Sequence, residues 1–493
     1  MGGYSIVEYF YEHKGHKCGY CKSASSSFSC GMWAHILTPE VYDKLLDRGW
    51  RRSGKYCYKP IMKKTCCRQY PIKLDVSNFR LSNSQKKTLK KMHRFLATGE
   101  RSKTPATSTT PEDDEGMGDT FFEGGEIQKR TDISSDICID DVTNSSAARV
   151  TQSRTQTSRQ ANTQSAQHQS TKESSPKQDS PRKGQGPDPS KPKCMKAKEL
   201  RKQRKLQKLA LRGETSLPEK KKIPNSTPKS LEDYLNEPLP ENPAHRLKVV
   251  TVRSCPPSPE FDATLTESWK VYESYQMQVH KDPKSECDKE RHRRFLVDSP
   301  LQHEANAAHG FGSFHQQYWL DNELIAVGVI DILPTCVSSV YLYYKPDYGF
   351  LSLGTYATLW EIAFTRELRR TCPGITRYCM GFYIHSCPKM RYKGNFSPSY
   401  LLCPETYTWH PIEKCKPLLD RNKYARFEED EARGDEDRVI DVDEVLILFL
   451  RKLQTYRRYA MVTSGEDREE VEEYATLVGR ECTESVLLYR SST

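Results

Sequence analysis

The sequence lacks any apolar run that approaches the roughly 20 residues of a membrane-spanning helix. It also lacks an N-terminal charged stretch followed by an apolar one, so we expect no secretory signal. Only 36% of its 493 residues are hydrophobic, too few for one uniformly packed globule. We therefore expect a protein of the cytoplasm and nucleus without a membrane partner. Its 17 cysteines should then be reduced thiols or metal ligands rather than disulfides.

Charge of one sign is not strongly in excess. The 76 Lys and Arg residues outnumber the 65 Asp and Glu residues, which gives a formal net charge of +11. This balance permits a nucleic-acid partner without requiring one.

A central region has few of the aromatic residues that a folded core needs. From residue 99 to 233 there is no Trp and no Tyr, and Ser, Thr, Gln, Pro and Lys dominate. Such a segment cannot bury enough apolar surface to offset chain entropy, which predicts a long disordered insertion at 97–233. Within it, the basic segment near 196–212 fits either an RNA-binding or nuclear-import patch or a solvated charge run.

The insertion separates regions that can fold. Residues 1–96 are rich in aromatics and cysteine and form a predicted N-terminal domain. Residues 234–430 form a second predicted domain, and 431–493 are expected to be a charged C-terminal extension that packs on it. In the second domain, strands are predicted at 323–333, 338–345 and 377–384, with helices at 263–280 and from 353 to about 370. This order predicts an α+β fold with a central sheet.

Four cysteines of the N-terminal region have the spacing of metal ligands. Cys18 and Cys21 are separated by two residues, and Cys66 and Cys67 are adjacent in the same region. Two such pairs can complete a tetrahedral sulfur site for zinc or bind an iron–sulfur cluster. Adjacent ligands are less usual, so one of them can be replaced by another donor of this region, and the alternative is a set of buried structural thiols. The possible replacements are His13, His16, Cys30 and Cys57.

Several segments of both folded regions closely resemble the eukaryotic arginyl-tRNA–protein transferases. The matching segments are Cys18–Cys21, Ser27–Met32, Asp47–Gly54, Cys66–Cys67, Phe314–Tyr318, Ile325–Asp331, Pro346–Tyr348, Leu351–Gly354 and Gly381–Gly394. The resemblance implies transfer of arginine from arginyl-tRNA to the α-amine of proteins that begin with Asp or Glu, which then enter the ubiquitin-dependent N-degron pathway. It implies a GNAT-like acyltransferase domain and zinc or an iron–sulfur cluster at the N-terminal cysteines.

The residues agree with a donor other than acyl-CoA. No convincing Arg/Gln-x-x-Gly-x-Gly/Ala turn follows a strand in the second domain, so we expect no CoA. Because an aminoacyl ester is already activated, positioning, a proton relay and oxyanion stabilisation suffice. We expect a monomer that works on arginyl-tRNA and a protein acceptor.

Candidate site residues follow from this chemistry. His385 and Tyr383 are candidates for the proton relay, and Glu361 and Asp331 for positioned carboxylates or an acidic pocket for the donor arginine. Asp331 can equally be half of a structural pair, and Glu361 a solvent-facing helix residue. Tyr343 is a candidate for stacking on adenosine. Four cations and one tyrosine beside them are candidates for binding tRNA or the acceptor carboxylate. They are Lys389, Arg391, Lys393 and Arg294, with Tyr392.

The alternation of Lys389, Arg391 and Lys393 predicts that, in an extended loop, all three point to one side. The alternative is an exposed, solvated loop. Two other functions stay open at this point: a non-catalytic metal- and RNA-binding adaptor with the same fold, and an N-acetyltransferase.

Overall fold

The computed structural model describes residues 4–101, 229–305 and 309–491, which build two β-sheets with helices packed against them. Apart from 97–101 and 229–233, the predicted insertion lies outside the described residues, and so does its basic segment near 196–212. The strands are β1 (Ser5–Phe10), β2 (Ser29–Ile36), β3 (Arg51–Ser53), β4 (Tyr56–Pro60), β5 (Tyr70–Asp75), β6 (Leu247–Cys255), β7 (Gly312–Leu320), β8 (Glu323–Ile332), β9 (Cys336–Tyr344), β10 (Arg377–Tyr383), β11 (Ser399–Leu402), β12 (Trp409–Pro411), β13 (Leu446–Phe449), β14 (Lys452–Thr455) and β15 (Val486–Arg490).

The α-helices are α1 (Pro39–Asp47), α2 (Asn83–Thr98), α3 (Leu231–Leu235), α4 (Pro259–Tyr275), α5 (Lys289–His292), α6 (Leu353–Thr371), α7 (Pro388–Arg391), α8 (Ile412–Arg421), α9 (Tyr456–Val462), α10 (Arg468–Val478) and α11 (Arg480–Thr483). Within the described residues, no helix is both long and apolar enough to cross a membrane.

The first sheet joins the two ends of the chain. Its order is β14-β13-β15-β1-β2-β4-β3, and β15 pairs in parallel with β1 through Ser5↔Val486 and Val7↔Leu488. Helices α1 and α10 contribute buried apolar side chains to the core on this sheet. The strands of residues 446–490 therefore complete a sheet begun by residues 5–60.

The second sheet has the order β12-β11-β5-β10-β9-β8-β7-β6. Its neighbours are antiparallel except β9 and β10, which run parallel and are connected by α6. Pairing between these two strands ends at Cys379↔Ser338. The mixed helix and sheet content confirms the α+β class that the sequence predicts.

Local sequence explains where these elements begin and turn. The Thr38 hydroxyl accepts a hydrogen bond from the Val41 amide at 3.3 Å, which caps α1, and Pro39 occupies the first helical position. Between β7 and β8, Asp321 and Asn322 both have positive φ, as a tight hairpin turn demands. These residue types tolerate that conformation better than branched ones do.

The helix from residue 353 is confirmed, and the residue before it, Ser352, does not cap it with its side chain. Ser352 has a left-handed φ of 56° and makes no capping hydrogen bond. Its hydroxyl instead accepts a hydrogen bond from Lys91 Nζ at 3.1 Å. The side chain therefore ties α6 to α2 rather than closing the end of its own helix.

Strands from different predicted domains pair with one another. The domain boundaries at 96, 233 and 430 stay predictions. Strand β5 comes from the N-terminal region but lies between β10 and β11 in the second sheet. The charged C-terminal extension adds β13 and β15 to the first sheet, and its Asp435 pairs with Arg48 at 2.7 Å. All described residues belong to one compact unit.

Candidate active site

The four cysteines predicted as metal ligands come together. Their sulfur atoms, from Cys18, Cys21, Cys66 and Cys67, all lie within 4.8 Å of one another. The sulfurs of Cys21 and Cys66 are 3.4 Å apart. In a tetrahedral sulfur site with zinc–sulfur bonds near 2.3 Å, the sulfurs stand about 3.8 Å apart. The arrangement therefore fits a metal centre with only small adjustments.

The electrostatics of this cysteine cluster also favour a bound cation. Burial raises the pKa of Cys67, and a charge on the neighbouring Cys18 raises it further. A backbone hydrogen bond from Ser23 lowers the pKa of Cys21 to about 7. Four ionised thiolates this close repel one another unless a metal ion or iron–sulfur cluster neutralises them.

The cysteine cluster packs directly on the end of β10 and on α7. Cys18 and Cys67 share a buried group with Phe382, Ile384 and Met390. Residues 382 and 384 precede His385, and Met390 lies in the helix that carries Lys389 and Arg391. The cluster therefore supports the segment that contains most of the predicted substrate-binding residues.

Tyr383, His385 and Asp420 form a hydrogen-bonded chain. The Tyr383 hydroxyl is 2.8 Å from Nδ1 of His385, and Nε2 of His385 is 2.8 Å from Oδ1 of Asp420. If Nε2 donates to the ionised Asp420 carboxylate, Nδ1 accepts from the Tyr383 hydroxyl. Burial raises the pKa of Tyr383 to about 12, so its hydroxyl keeps its proton at neutral pH.

A surface pocket opens between the cysteine cluster and His385. Its empty volume is about 300 Å³, which includes space open to solvent. The pocket is lined by Cys66, Arg68, Tyr70, His385, Ser386, Leu419 and Lys423. Two of these side chains are cations, and none of the described residues in the lining is acidic. The pocket therefore favours an anionic ligand beside the hydrogen-bonded chain.

Other cations lie close in sequence to the cysteine cluster and to His385. Lys389 and Lys22 lie near His280, where their charges add to burial in lowering the pKa of His280 to about 4. Arg391 is exposed, and its positive charge lies near enough to Tyr383 to lower the pKa of the Tyr383 hydroxyl, against the effect of burial. These cations come from the loop after the first cysteine pair and from α7.

The segment after His385 is not extended, so the prediction that Lys389, Arg391 and Lys393 point to one side is wrong. Pro388 opens the helix α7, and a 3₁₀ turn follows at Tyr392–Asn395. In a helix, alternate residues point in nearly opposite directions. Arg391 is accordingly exposed, whereas Lys393 is 3% exposed. Tyr392 packs its ring edge-on against Phe396.

Asp331 is half of a structural ion pair. It is buried on β8 and accepts a bidentate pair of hydrogen bonds from Arg52 of β3, at 2.6 and 2.8 Å. Ser313 donates to the same carboxylate at 2.7 Å. These partners saturate the carboxylate, and its position joins the two sheets, so this placement argues against contact with the donor arginine.

Glu361 is fully buried on α6, so a solvent-facing position is wrong. Its Oε2 accepts a hydrogen bond from Tyr378 at 2.6 Å, and Oε1 has no hydrogen-bond partner in the part of the chain that the structure describes. Burial raises its pKa to about 7. A Cβ at Gly328 would lie 2.9 Å from Oε1, so glycine there leaves room for the carboxyl group. Glu361 is not among the described residues that line the pocket.

Tyr343 and Arg294 lie outside the pocket lining as well. The Tyr343 ring is buried, and its hydroxyl lies 2.6 Å from the hydroxyl of Ser268 and 3.2 Å from Nε2 of His292. Stacking on a nucleotide base would require an exposed face, so this placement argues against that role. Arg294 is exposed, and its carbonyl group packs beside Gly54.

Sequence reasoning missed four residues of this region: Lys22, Arg68, Asp420 and Lys423. Lys22 and Arg68 directly follow the two cysteine pairs, so proximity to the predicted metal site could have identified them. Asp420 and Lys423 carry no such signal. Asp420 reaches His385, and Lys423 reaches the pocket, because α8 ends beside His385.

Comparison with known proteins identifies the class of this fold and site. The family model for the N terminus of arginine-tRNA-protein transferases matches residues 16–87, and the model for the C terminus matches residues 267–403. The matched ranges contain the four cysteines, β5, α6, β10 and α7. The chain is thus an aminoacyltransferase by class.

Curated relatives specify the family. The chain is 40% identical over 500 residues to arginyl-tRNA–protein transferase 1 of Drosophila melanogaster, covering 98% of this chain and 99% of that protein. It is 32% identical over 474 residues to arginyl-tRNA–protein transferase 2 of Arabidopsis thaliana, covering 86% and 78%. The chain belongs to the arginyl-tRNA–protein transferase family. An adaptor without catalytic activity is not supported.

A shorter match links the chain to a bacterial enzyme. It is 36% identical over 141 residues to the aspartate/glutamate leucyltransferase of Pseudomonas fluorescens, covering 28% of this chain and 52% of that protein.

Proposed function

We propose that this chain transfers arginine from arginyl-tRNA to the N-terminal α-amine of proteins that begin with Asp or Glu. The observation that carries the proposal is the Tyr383–His385–Asp420 chain at a pocket lined with cations. The pocket suits anionic ligands, and both substrates have anionic groups at the reacting ends. The bacterial relative whose name specifies aspartate and glutamate supports an acidic acceptor.

We also propose that the second sheet is a GNAT-like acyltransferase fold in which aminoacyl-tRNA takes the place of acyl-CoA. Two parallel strands that pair over a short stretch and then lose their pairing leave a gap between them. Here β9 and β10 pair only from Arg377 to Cys379. Lys389 and Lys22 lie near His280, which is 3.5 Å from the hydroxyl of Tyr341 on the unpaired part of β9. A tRNA acceptor end could enter there with its phosphates beside these cations.

The chemical step needs no covalent enzyme intermediate. The neutral α-amine attacks the ester carbonyl of the aminoacyl group, a C–N bond forms, and the C–O bond to the terminal ribose breaks. The amine loses a proton, and the ribose oxygen gains one. His385 lies at the pocket with Tyr383 and Asp420 on its two nitrogens, so it can relay this proton without a nucleophilic side chain.

Recognition of the acceptor side chain requires a cation. Arg391 is exposed and lies close to Tyr383, and a guanidinium can bind a carboxylate in bidentate fashion. Arg68 and Lys423 line the pocket together with His385. These three side chains are our candidates for the acceptor carboxylate and the terminal phosphates.

The cysteine cluster would hold zinc or an iron–sulfur cluster through Cys18, Cys21, Cys66 and Cys67. The bound group would fix the sulfurs and, through their packing on Ile384 and Met390, the positions of His385 and Arg391. Its role in this proposal is structural support of the relay. Elemental analysis of anaerobically purified protein distinguishes the two groups.

The wider role follows from the proposed product. An added N-terminal arginine would mark the acceptor for ubiquitin-dependent degradation in the N-degron pathway. We propose that the chain acts as a monomer in the cytoplasm and nucleus, where acceptors and charged tRNA are present.

The reaction can be tested with radiolabelled arginine, tRNA, the synthetase and a peptide that begins with Asp. We expect label in the peptide, loss of labelling after RNase treatment, and no labelling of a peptide that begins with Ser. Equal labelling of both peptides would contradict acidic specificity. Labelling from acetyl-CoA alone would favour an N-acetyltransferase.

The substitution Arg391→Glu tests the cationic site. We expect it to reduce arginyl transfer at least 100-fold because a repulsive carboxylate replaces the proposed ligand of the acceptor. Arg370→Glu is the matched control, since Arg370 is also exposed but lies near the end of α6. Unchanged turnover of Arg391→Glu, with the same melting temperature as the parent protein, would remove α7 from the site.

A further inference from the structure

A second group of metal-type ligands lies on the first sheet, apart from the four cysteines. One donor atom each from His13, Cys30 and Glu473 lies within 4.8 Å of the others. His13 follows β1, Cys30 belongs to β2, and Glu473 belongs to α10. We propose that these three residues bind a zinc ion that ties the start of the chain to its C-terminal region.

The carboxylate of Glu473 is held in a fixed orientation. Nε2 of His13 is 3.0 Å from its Oε2, and the hydroxyl of Tyr9 donates to its Oε1. Ligating carboxylates in metal sites are themselves hydrogen-bonded, and such partners orient them toward the ion. Tyr9 therefore has the position of an orienting partner for a Glu473 ligand.

The nitrogen of His13 that can share an ion with Glu473 is Nε2, which lies 3.0 Å from Oε2 of that carboxylate. A bound ion would replace this hydrogen bond, because a neutral imidazole commonly binds a metal through one nitrogen and keeps its proton on the other. Nδ1, on the opposite side of the ring, is buried and has no hydrogen-bond partner among the described residues.

The donor set selects the ion by its chemistry. Nitrogen, sulfur and carboxylate oxygen together are the ligands of Zn²⁺, whereas Mg²⁺ and Ca²⁺ require oxygen ligands. Cys30 is only 4% exposed, while the side chains of His13 and Glu473 are 28% and 29% exposed. Three protein ligands leave the fourth tetrahedral position on the exposed side for water or another ligand.

Metal content of the full chain tests the proposal. We expect His13→Ala and Glu473→Gln each to lower the zinc content by one ion per chain. Glu472→Gln is the matched control because Glu472 lies on the same helix but pairs with Arg468, and it should keep the ion. Cys66→Ser, which affects the four-cysteine cluster, should leave this zinc in place. Unchanged zinc content in both His13→Ala and Glu473→Gln would overturn the proposal.

Diffraction at the zinc absorption edge tests the site without any substitution. Crystals of the parent protein grown with zinc should show an anomalous peak between His13, Cys30 and Glu473. This measurement decides the question even if the variants fold poorly. The lack of such a peak at a zinc concentration that fills the four-cysteine site, or at saturating zinc, would overturn the proposal.

Discussion

At the scale of single residues, the placement of His385 is what gives the pocket its chemistry. One of its nitrogens meets a buried phenol and the other an exposed carboxylate, which fixes the ring and its tautomer. Sequence reasoning proposed Tyr383 and His385 for a proton relay, and that role stays a prediction. It could not identify Asp420, which is 35 residues further along the chain.

Replacing His385 should therefore impair the chemical step. We expect His385→Ala to lower the kcat of arginyl transfer about 100-fold or more, in the range of a lost proton relay. Asp420→Asn should have a smaller effect, since it changes only the orientation and charge of the imidazole. Steady-state assays with labelled arginyl-tRNA measure both. His93→Ala, on α2, is the control; equal kcat for it and His385→Ala would exclude the relay.

Glu361 gives a second prediction for a single residue, which concerns stability. Burial raises its pKa from the usual 4.5 to about 7, so the folded protein holds this proton over a pH range where the unfolded chain has lost it. The contribution to stability is present below pH 4.5 and is lost as the pH rises through 7. It amounts to about 3 kcal/mol.

Urea unfolding of the parent protein and of Glu361→Gln between pH 4.5 and 8 measures this contribution. The free energy of unfolding should fall more with rising pH in the parent than in the variant, because glutamine cannot ionise. Parallel curves for the two proteins would show that Glu361 titrates normally.

At the scale of elements, the two sheets are joined by a buried ion pair. Arg52 on β3 and Asp331 on β8 are both buried and bond in bidentate geometry. Asp331→Asn should lower the free energy of unfolding by about 3–5 kcal/mol because it leaves a buried guanidinium without its counter-charge. Chemical denaturation measures the change. Asp347→Asn, at an exposed position, should change it by less than about 0.5 kcal/mol.

The outcome of the Asp331 experiment separates structure from catalysis. If the variant keeps the stability of the parent but loses arginyl transfer, Asp331 acts in the reaction rather than between the sheets. If it loses stability and the remaining folded protein keeps its turnover, the structural reading holds.

Elements were predicted well where a local pattern decides them. The strand at 323–332 alternates and is rich in branched residues, and the helix from 353 has an apolar stripe, so both are confirmed within a few residues. The segment at 388–395 was mispredicted because its alternating charges resemble a strand, although Pro388 starts a helical turn. The Glu361 carboxyl group fits beside Gly328 of β8, a contact that no local pattern reveals.

At the scale of the whole molecule, the pairing of distant segments was beyond sequence reasoning. Nothing local in 70–75 shows that this strand inserts between β10 and β11, and nothing in 486–490 shows that it pairs with β1. Both depend on tertiary contacts across more than 300 residues. The metal-type cysteine cluster was predictable because ligand spacing is local within each pair, and only their meeting needed the fold.

The completion of the first sheet by the C-terminal strands leads to a prediction about truncation. Without residues 431–493, β1 loses its parallel partner β15, and apolar side chains of the shared core become exposed. An unpaired strand edge beside exposed apolar surface promotes aggregation. We therefore expect a chain ending at residue 430 to be insoluble and inactive.

Co-expression of 431–493 as a separate fragment should restore soluble protein, as measured by yield and thermal unfolding. A chain ending at 491 serves as the control. A truncated chain that melts at the temperature of the full protein would show that the N-terminal strands hold together without β13 to β15.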